Sequence, residues 1–130
     1  VNKIINDLRL SKKRIVSTVI YTTHDKKIIN NKDSVKVITD KNSNALYFSR
    51  SLIPYNSDNA YFIHLGIYGY KAGLLEEYSS LVKSEFEKSE SLEQLRFVYN
   101  NVPVHCIKIK SHNSISINSV NDLKLVKAGI

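Results

Sequence analysis

Three groups of residues have side chains and spacings that could do chemistry. The run Ala45-Leu46-Tyr47-Phe48-Ser49-Arg50-Ser51-Leu52-Ile53-Pro54-Tyr55 passes from an apolar, aromatic strand pattern into a Ser-Arg pair and then a Pro. Pro ends regular pairing, so Arg50 stands at a strand's exit, where its planar fork of donors suits a carboxylate or phosphate on an acidic ligand. His64 lies inside the apolar run Tyr61 to Tyr70, and Tyr68, four residues on, falls on the same strand face. Glu90, Glu93 and Gln94 stand at i, i+3 and i+4, and on a helix they would share one face. Each group also has a plain structural reading: Arg50 as a surface cation paired with a carboxylate, His64 as a satisfied core residue, and the Glu90 group as a solvated helix surface.

The elements that must position these residues can be read from periodicity. Val1, Ile4, Ile5 and Leu8 recur at helical spacing and read as the end of an amphipathic helix. Ile15 to Thr22 is rich in β-branched residues and reads as a strand, while polar residues 24–33 read as an exposed loop. Two apolar runs, Val35 to Thr39 and Ala45 to Ser49, are joined by the turn formers Asp40-Lys41-Asn42-Ser43-Asn44, which predicts a β-hairpin. Tyr61 to Tyr70 is a further strand, in which Gly66 and Gly69 would allow close backbone approach. Ala72 to Leu81 and Ser91 to Asn100 read as helices, the second with Leu92, Leu95 and Val98 on one face. Val102 to Ile109 reads as a strand that tolerates Pro103 at its start. Asn121 to Ala128 reads as a closing helix with Ser119 or Asn121 as its cap. Strands alternating with helices, with one inserted hairpin, argue for an α/β sheet.

Composition narrows the function classes. A chain of 130 residues fits one domain, 1–130, able to bury a core without disulfide or metal staples. The net charge of +7 comes from scattered lysines without a nucleic-acid-binding motif, so nucleic acid is not the expected partner; the positive field suits an anionic ligand instead. The lone Cys106 sits among Val104, Ile107 and Ile109, which excludes an intramolecular disulfide and reads as a buried structural thiol. No run approaches the roughly eighteen apolar residues of a membrane helix, so a cytoplasmic location without membrane association is the expectation.

Four runs taken in order carry a resemblance: Ala45 to Tyr55; His64-Leu65-Gly66-Ile67-Tyr68-Gly69-Tyr70; Glu90-Ser91-Leu92-Glu93-Gln94-Leu95-Arg96; and Ile117-Asn118-Ser119-Val120-Asn121-Asp122-Leu123. In this order and at these spacings the chain resembles the 3-deoxy-manno-octulosonate cytidylyltransferases, the CMP-Kdo synthetases of lipopolysaccharide biosynthesis, from about Ile4 to Val126. The resemblance implies the C-terminal part of a mixed-sheet, Rossmann-like nucleotidyltransferase fold. It implies transfer of CMP from CTP to Kdo with release of pyrophosphate, a Mg2+ cofactor, and a homodimer. Arg50, His64, Tyr68, Glu90, Glu93 and Gln94 would then bind the sugar acid. Arg96 is expected to pair within the fold, and Tyr70 to pack.

The chain also departs from that family. Members are about twice as long, and their N-terminal half carries a basic nucleotide loop and an Asp-containing metal motif, neither visible in these residues. The chain is therefore expected to be the sugar-binding, dimer-forming half of a cytidylyltransferase, incomplete for catalysis alone. Asn118 stands where members have a magnesium-holding Asp in a Val-Asp-Thr-Pro-Glu-Asp-Leu type of run; it keeps a neutral oxygen but removes the charge that favours a hard divalent cation. Val120 in place of Pro, and Leu52 where many members have Pro, alter local backbone geometry. The alternative is a non-catalytic pseudoenzyme or binding protein that retains the fold.

Overall fold

The eight-residue run Val16 to Thr23 is buried through its first six positions, so both of its faces must be covered and it belongs at the middle of a sheet. In the computed structural model, which describes residues 2–10, 16–58 and 60–110, this run is strand β1 (Val16–Thr23). Before it comes helix α1 (Asn2–Leu10), and after it α2 (Lys26–Ile29), β2 (Lys36–Thr39), β3 (Ala45–Ser49) and β4 (Tyr61–Tyr70). Helices α3 (Ala72–Tyr78), α4 (Glu85–Glu90) and α5 (Leu95–Tyr99) lead to strand β5 (Val104–Ile109). The sheet runs β3-β2-β4-β1-β5, with β5 parallel to β1 and the remaining neighbours antiparallel. It is the mixed α/β sheet with an inserted hairpin that the sequence predicts.

Alternation along β1 sorts the core into two faces. Val19 turns to one side and packs with Ile67 and with Ile4 and Leu8 of α1. Val16 and Ile20 turn to the other, meeting Val37, Phe48, Leu74, Leu95 and Phe97. Burying each such aliphatic side chain stabilises by about 1.5–3 kcal/mol, so helices α3 and α5 are held against the sheet face that also carries His64 and Tyr68.

The hairpin forms for the reason its turn residues suggest. The Asp40 carboxylate accepts from the backbone N–H groups of Asn42 (2.8 Å) and Asn44 (2.9 Å), an arrangement open to a short polar side chain. Ser43 takes a left-handed φ of 66°. Four readings need correction. Within the polar stretch 24–33, Asp25 caps the single helical turn α2 by accepting from Lys27 N–H. The predicted helix Ala72 to Leu81 stops at Tyr78, and β5 begins at Val104 rather than Val102, the carbonyl of Pro103 still accepting from Val16 N–H at 3.2 Å. The fourth is the predicted helix Ser91 to Asn100, in which the helix is Leu95–Tyr99 and residues 91–94 form the turn that separates α4 from α5. Ser84 caps α4 through the N–H of Glu87, Ser91 adopts a left-handed conformation (φ 56°, ψ 46°), and Leu92 N–H bonds the Glu87 carbonyl, a helix-ending pattern. The break turns Leu92 into the core beside Leu95.

Gly66 takes φ +72°, and a Cβ there would meet nothing within 4 Å. Its freedom of φ, not the close approach expected from sequence, is what the strand requires. The expected closing helix and Asn118 lie outside the described residues.

Candidate functional site

On the sheet face covered by α3 and α5 lies a cleft of about 420 Å³. Its floor is aromatic. Tyr68 and Tyr70 project from β4 with rings stacked at 5.9 Å and an interplanar angle of 13°, Phe97 of α5 lies 5.8 Å from Tyr70, and Tyr78 of α3 closes on Phe97 at 5.4 Å. The rim is the segment between α4 and α5, which contributes Ser91, Glu93 and Gln94. Glu93 is exposed and Gln94 buried, so one end of the rim is anionic and wet and the other is a neutral amide. Burial is the first cause raising the pKa of Tyr68, Tyr70 and Tyr78 alike. These phenols stay neutral at ordinary pH, each able to donate and accept.

The predicted site residues separate into two groups. Tyr68, Glu93 and Gln94 meet in the cleft. The break at Ser91 removes the shared helix face expected of Glu90, Glu93 and Gln94 and turns Glu90 the other way. Its carboxylate accepts from Tyr47 Oη (2.9 Å), Ser49 Oγ (2.8 and 3.0 Å) and Arg50 N–H (3.1 Å). Arg50 answers by donating from Nε to the Glu90 carbonyl (2.9 Å) and from its two terminal nitrogens to the carbonyls of Lys32 and Ser91. Beneath them the buried Lys36 ammonium donates to the carbonyls of Asn31 and Arg50, both at 2.9 Å. This junction ties β3 to the end of α4. Ser91 links it to the cleft, touching Arg50 and lining the rim.

His64 sits behind Tyr68, ring centroids 5.2 Å apart, and edge-on to Phe48 at 4.9 Å. Burial pushes its imidazole down to about 4 from 6.5, so it is neutral at ordinary pH. Its Nε2 is 2.7 Å from Thr18 Oγ1. His64 and Tyr68 do share a face: their partners across the ladder are Ile20 and Thr18, which alternate onto one side of β1.

Two expectations of structural roles hold. Arg96 forms a two-bond pair with Glu87 (3.0 and 2.7 Å) and lies over the Tyr78 ring at 4.7 Å; the Arg96 hydrogen bond is the first cause holding the Glu87 carboxyl low. Cys106 is buried, its thiol pushed up to about 12 by burial. The sequence reading missed Thr18, Tyr78 and Phe97, and took Tyr70 for packing alone. Thr18 reads only as one more β-branched residue in a strand, and nothing local marks Tyr78 or Phe97 as cleft residues, because the cleft comes together only when α3 and α5 fold onto the sheet.

Among the described residues no three His, Cys, Asp or Glu side chains gather closely enough to hold a metal ion; Asn118, the position expected to meet magnesium, lies outside them. No helix among them is long and apolar enough to cross a membrane.

A family model described as cytidylyltransferase matches residues 1–111. The chain belongs to the cytidylyltransferase family. Within that family, this cytidylyltransferase chain is similar to the 3-deoxy-manno-octulosonate cytidylyltransferase of Fusobacterium nucleatum, at 37% identity over 129 residues, covering 97% of this chain and 52% of the relative. The enzyme of the same name from Koribacter versatilis is 42% identical over 106 residues, 78% of this chain and 40% of the relative. In three dimensions the chain is similar to a solved CMP:2-keto-3-deoxy-manno-octonic acid synthetase complexed with CTP, with a TM-score of 0.78 and 29% identity over 97% of this chain and 53% of that one. The chain thus spans about half the length of the curated relatives it matches.

Proposed function

We propose that the cleft beneath α3 and α5 binds the 3-deoxy sugar acid of a CMP-Kdo synthetase, and that this chain serves transfer of CMP from CTP to Kdo. The observation that carries the reading is the convergence of Tyr68, Glu93 and Gln94, which arrive from a strand and from an interhelical turn, in one aromatic-floored cleft. Such a wall packs against the apolar face of a sugar while phenol, amide and carboxylate take its hydroxyls. Arg50, reaching the rim at Ser91, is placed to attract the ligand's carboxylate from that end. The names of the relatives and the CTP bound to the solved neighbour support the same substrates.

In the proposed reaction the anomeric hydroxyl of Kdo attacks the α-phosphorus of CTP, and pyrophosphate leaves. The part of this chain is to bind and orient the sugar; magnesium, the nucleotide contacts, assembly as a homodimer and a place in cytoplasmic lipopolysaccharide synthesis belong to the proposal for the complete enzyme. A non-catalytic binding role is the second reading, favoured by Asn118 at the metal-ligand position. Calorimetric titration of the folded chain tests the first: heat with Kdo alone supports a sugar cleft, and silence with both Kdo and CTP-magnesium sinks it. Gain of magnesium-dependent turnover on Asn118→Asp, in the chain joined to a nucleotide-binding half, would remove the second.

A further inference from the structure

The ladder between β1 and β4 is irregular at one place. Thr18 pairs with Tyr68 and Ile20 with His64, so Val19 alone on β1 stands against Leu65, Gly66 and Ile67 on β4. The two extra residues form a bulge whose turn depends on the positive φ of Gly66. Because the excess is two, His64 and Tyr68 stay on one face. A bulge frees backbone groups from the ladder, and here the buried Thr18 hydroxyl donates to the carbonyl of Ile67.

That bond decides a proton elsewhere. A carbonyl can only accept, so the single Thr18 hydrogen is directed to Ile67. The same oxygen lies 2.7 Å from His64 Nε2 and can serve that nitrogen only as an acceptor. Nε2 must then carry the imidazole hydrogen, because the other tautomer would set two lone pairs against each other at hydrogen-bond distance. Nδ1 is left as an acceptor and nothing else.

Resting on the sugar-cleft reading, we propose that Thr18 is a positioning residue of the cleft: its one hydroxyl pins the β4 bulge that aims Tyr68 into it and fixes the proton of His64, packed behind Tyr68, on Nε2. Nothing in the run Val16 to Thr23 announces this role; it follows from where β1 meets the bulge.

Long-range proton–nitrogen NMR of the histidine rings in the 130-residue chain, read beside Kdo titration, tests it. The parent chain is expected to show His64 as the Nε2–H tautomer at pH 7. Thr18→Val, which removes the hydroxyl and keeps the branched shape, should mix the tautomers and weaken Kdo binding about tenfold, and Thr18→Ser should restore both. If Thr18→Val only lowers stability, leaving tautomer and affinity as in the parent, Thr18 is structural and the proposal is overturned. A parent chain that binds Kdo with the proton on Nδ1 overturns the assignment to Thr18 alone. One that holds the Nε2 proton but gives no heat with Kdo overturns the sugar reading and the ligand's part in this proposal with it.

Discussion

Glu90 and Glu93 are three residues apart, yet one sits in the junction between β3 and α4 and the other on the rim of the cleft. Glu90 is half-buried and accepts from Tyr47, Ser49 and Arg50. It raises the Tyr47 phenol, after burial has done so first, to about 12. Glu93 is exposed and lines the cleft with Gln94, Tyr68 and Tyr70. The difference is made by one left-handed residue, Ser91, which reverses the side of the chain on which the next carboxylate emerges. A polar group whose partners are already in the fold holds the fold; one aimed at a cleft is available to a ligand.

The sharpest contrast comes from a carboxylate more deeply buried than either. Glu87 is 3% exposed and paired with Arg96, so Arg96→Met leaves an uncompensated charge and is expected to cost about 3–5 kcal/mol in urea unfolding; a loss below 1 kcal/mol would show that the pair is solvated. Next comes pH. With His64 lowered to about 4 in the folded chain against 6.5, the unfolded chain binds the proton first. Stability is therefore complete above about 6.5 and falls as pH drops toward 4, by about 3 kcal/mol in all. Carboxylates titrate in the same range, so the quantity to read is the difference in pH slope between the parent and His64→Asn; equal slopes would mean that His64 is not buried neutral.

Within the junction, Glu90→Ala strands two hydroxyls and a backbone N–H and is expected to lose about 2 kcal/mol of stability by denaturant midpoint. Were it to fold as stably as the parent while Kdo binding vanished, Glu90 would belong with Glu93 and the contrast would collapse. The smallest stability effect is expected at Glu93→Gln, within about 0.5 kcal/mol, together with a roughly tenfold loss of Kdo affinity by calorimetry.

Much of the frame was legible before folding. The β-branched run around Ile20, the hairpin turn at Asp40 to Asn44 and the strand from Tyr61 to Tyr70 are local signals, and each element appears within a residue or two of its expected place. Of the expected site residues, Tyr68, Glu93 and Gln94 line one cleft, whereas Arg50 and Glu90 meet each other beside it, a separation that spacing alone does not reveal because it follows from the turn at Ser91. The apolar period of Leu92 and Leu95 is satisfied equally by one long helix and by a turn followed by a short one, and only burial of Leu92 against the sheet selects the turn.

The sequence by itself determined the α/β alternation, the hairpin, the buried thiol at Cys106 and the identities of the polar groups that the fold then distributes, because propensity, turn chemistry and side-chain polarity act over a few residues. Tertiary structure alone decided which of those groups face the cleft, that Arg50 and Glu90 hold each other's segments, and which His64 nitrogen carries the hydrogen. Those outcomes depend on partners 40 and 46 residues away, and the direction of a hydrogen bond is settled only when donor and acceptor are brought to within 3 Å or so of each other.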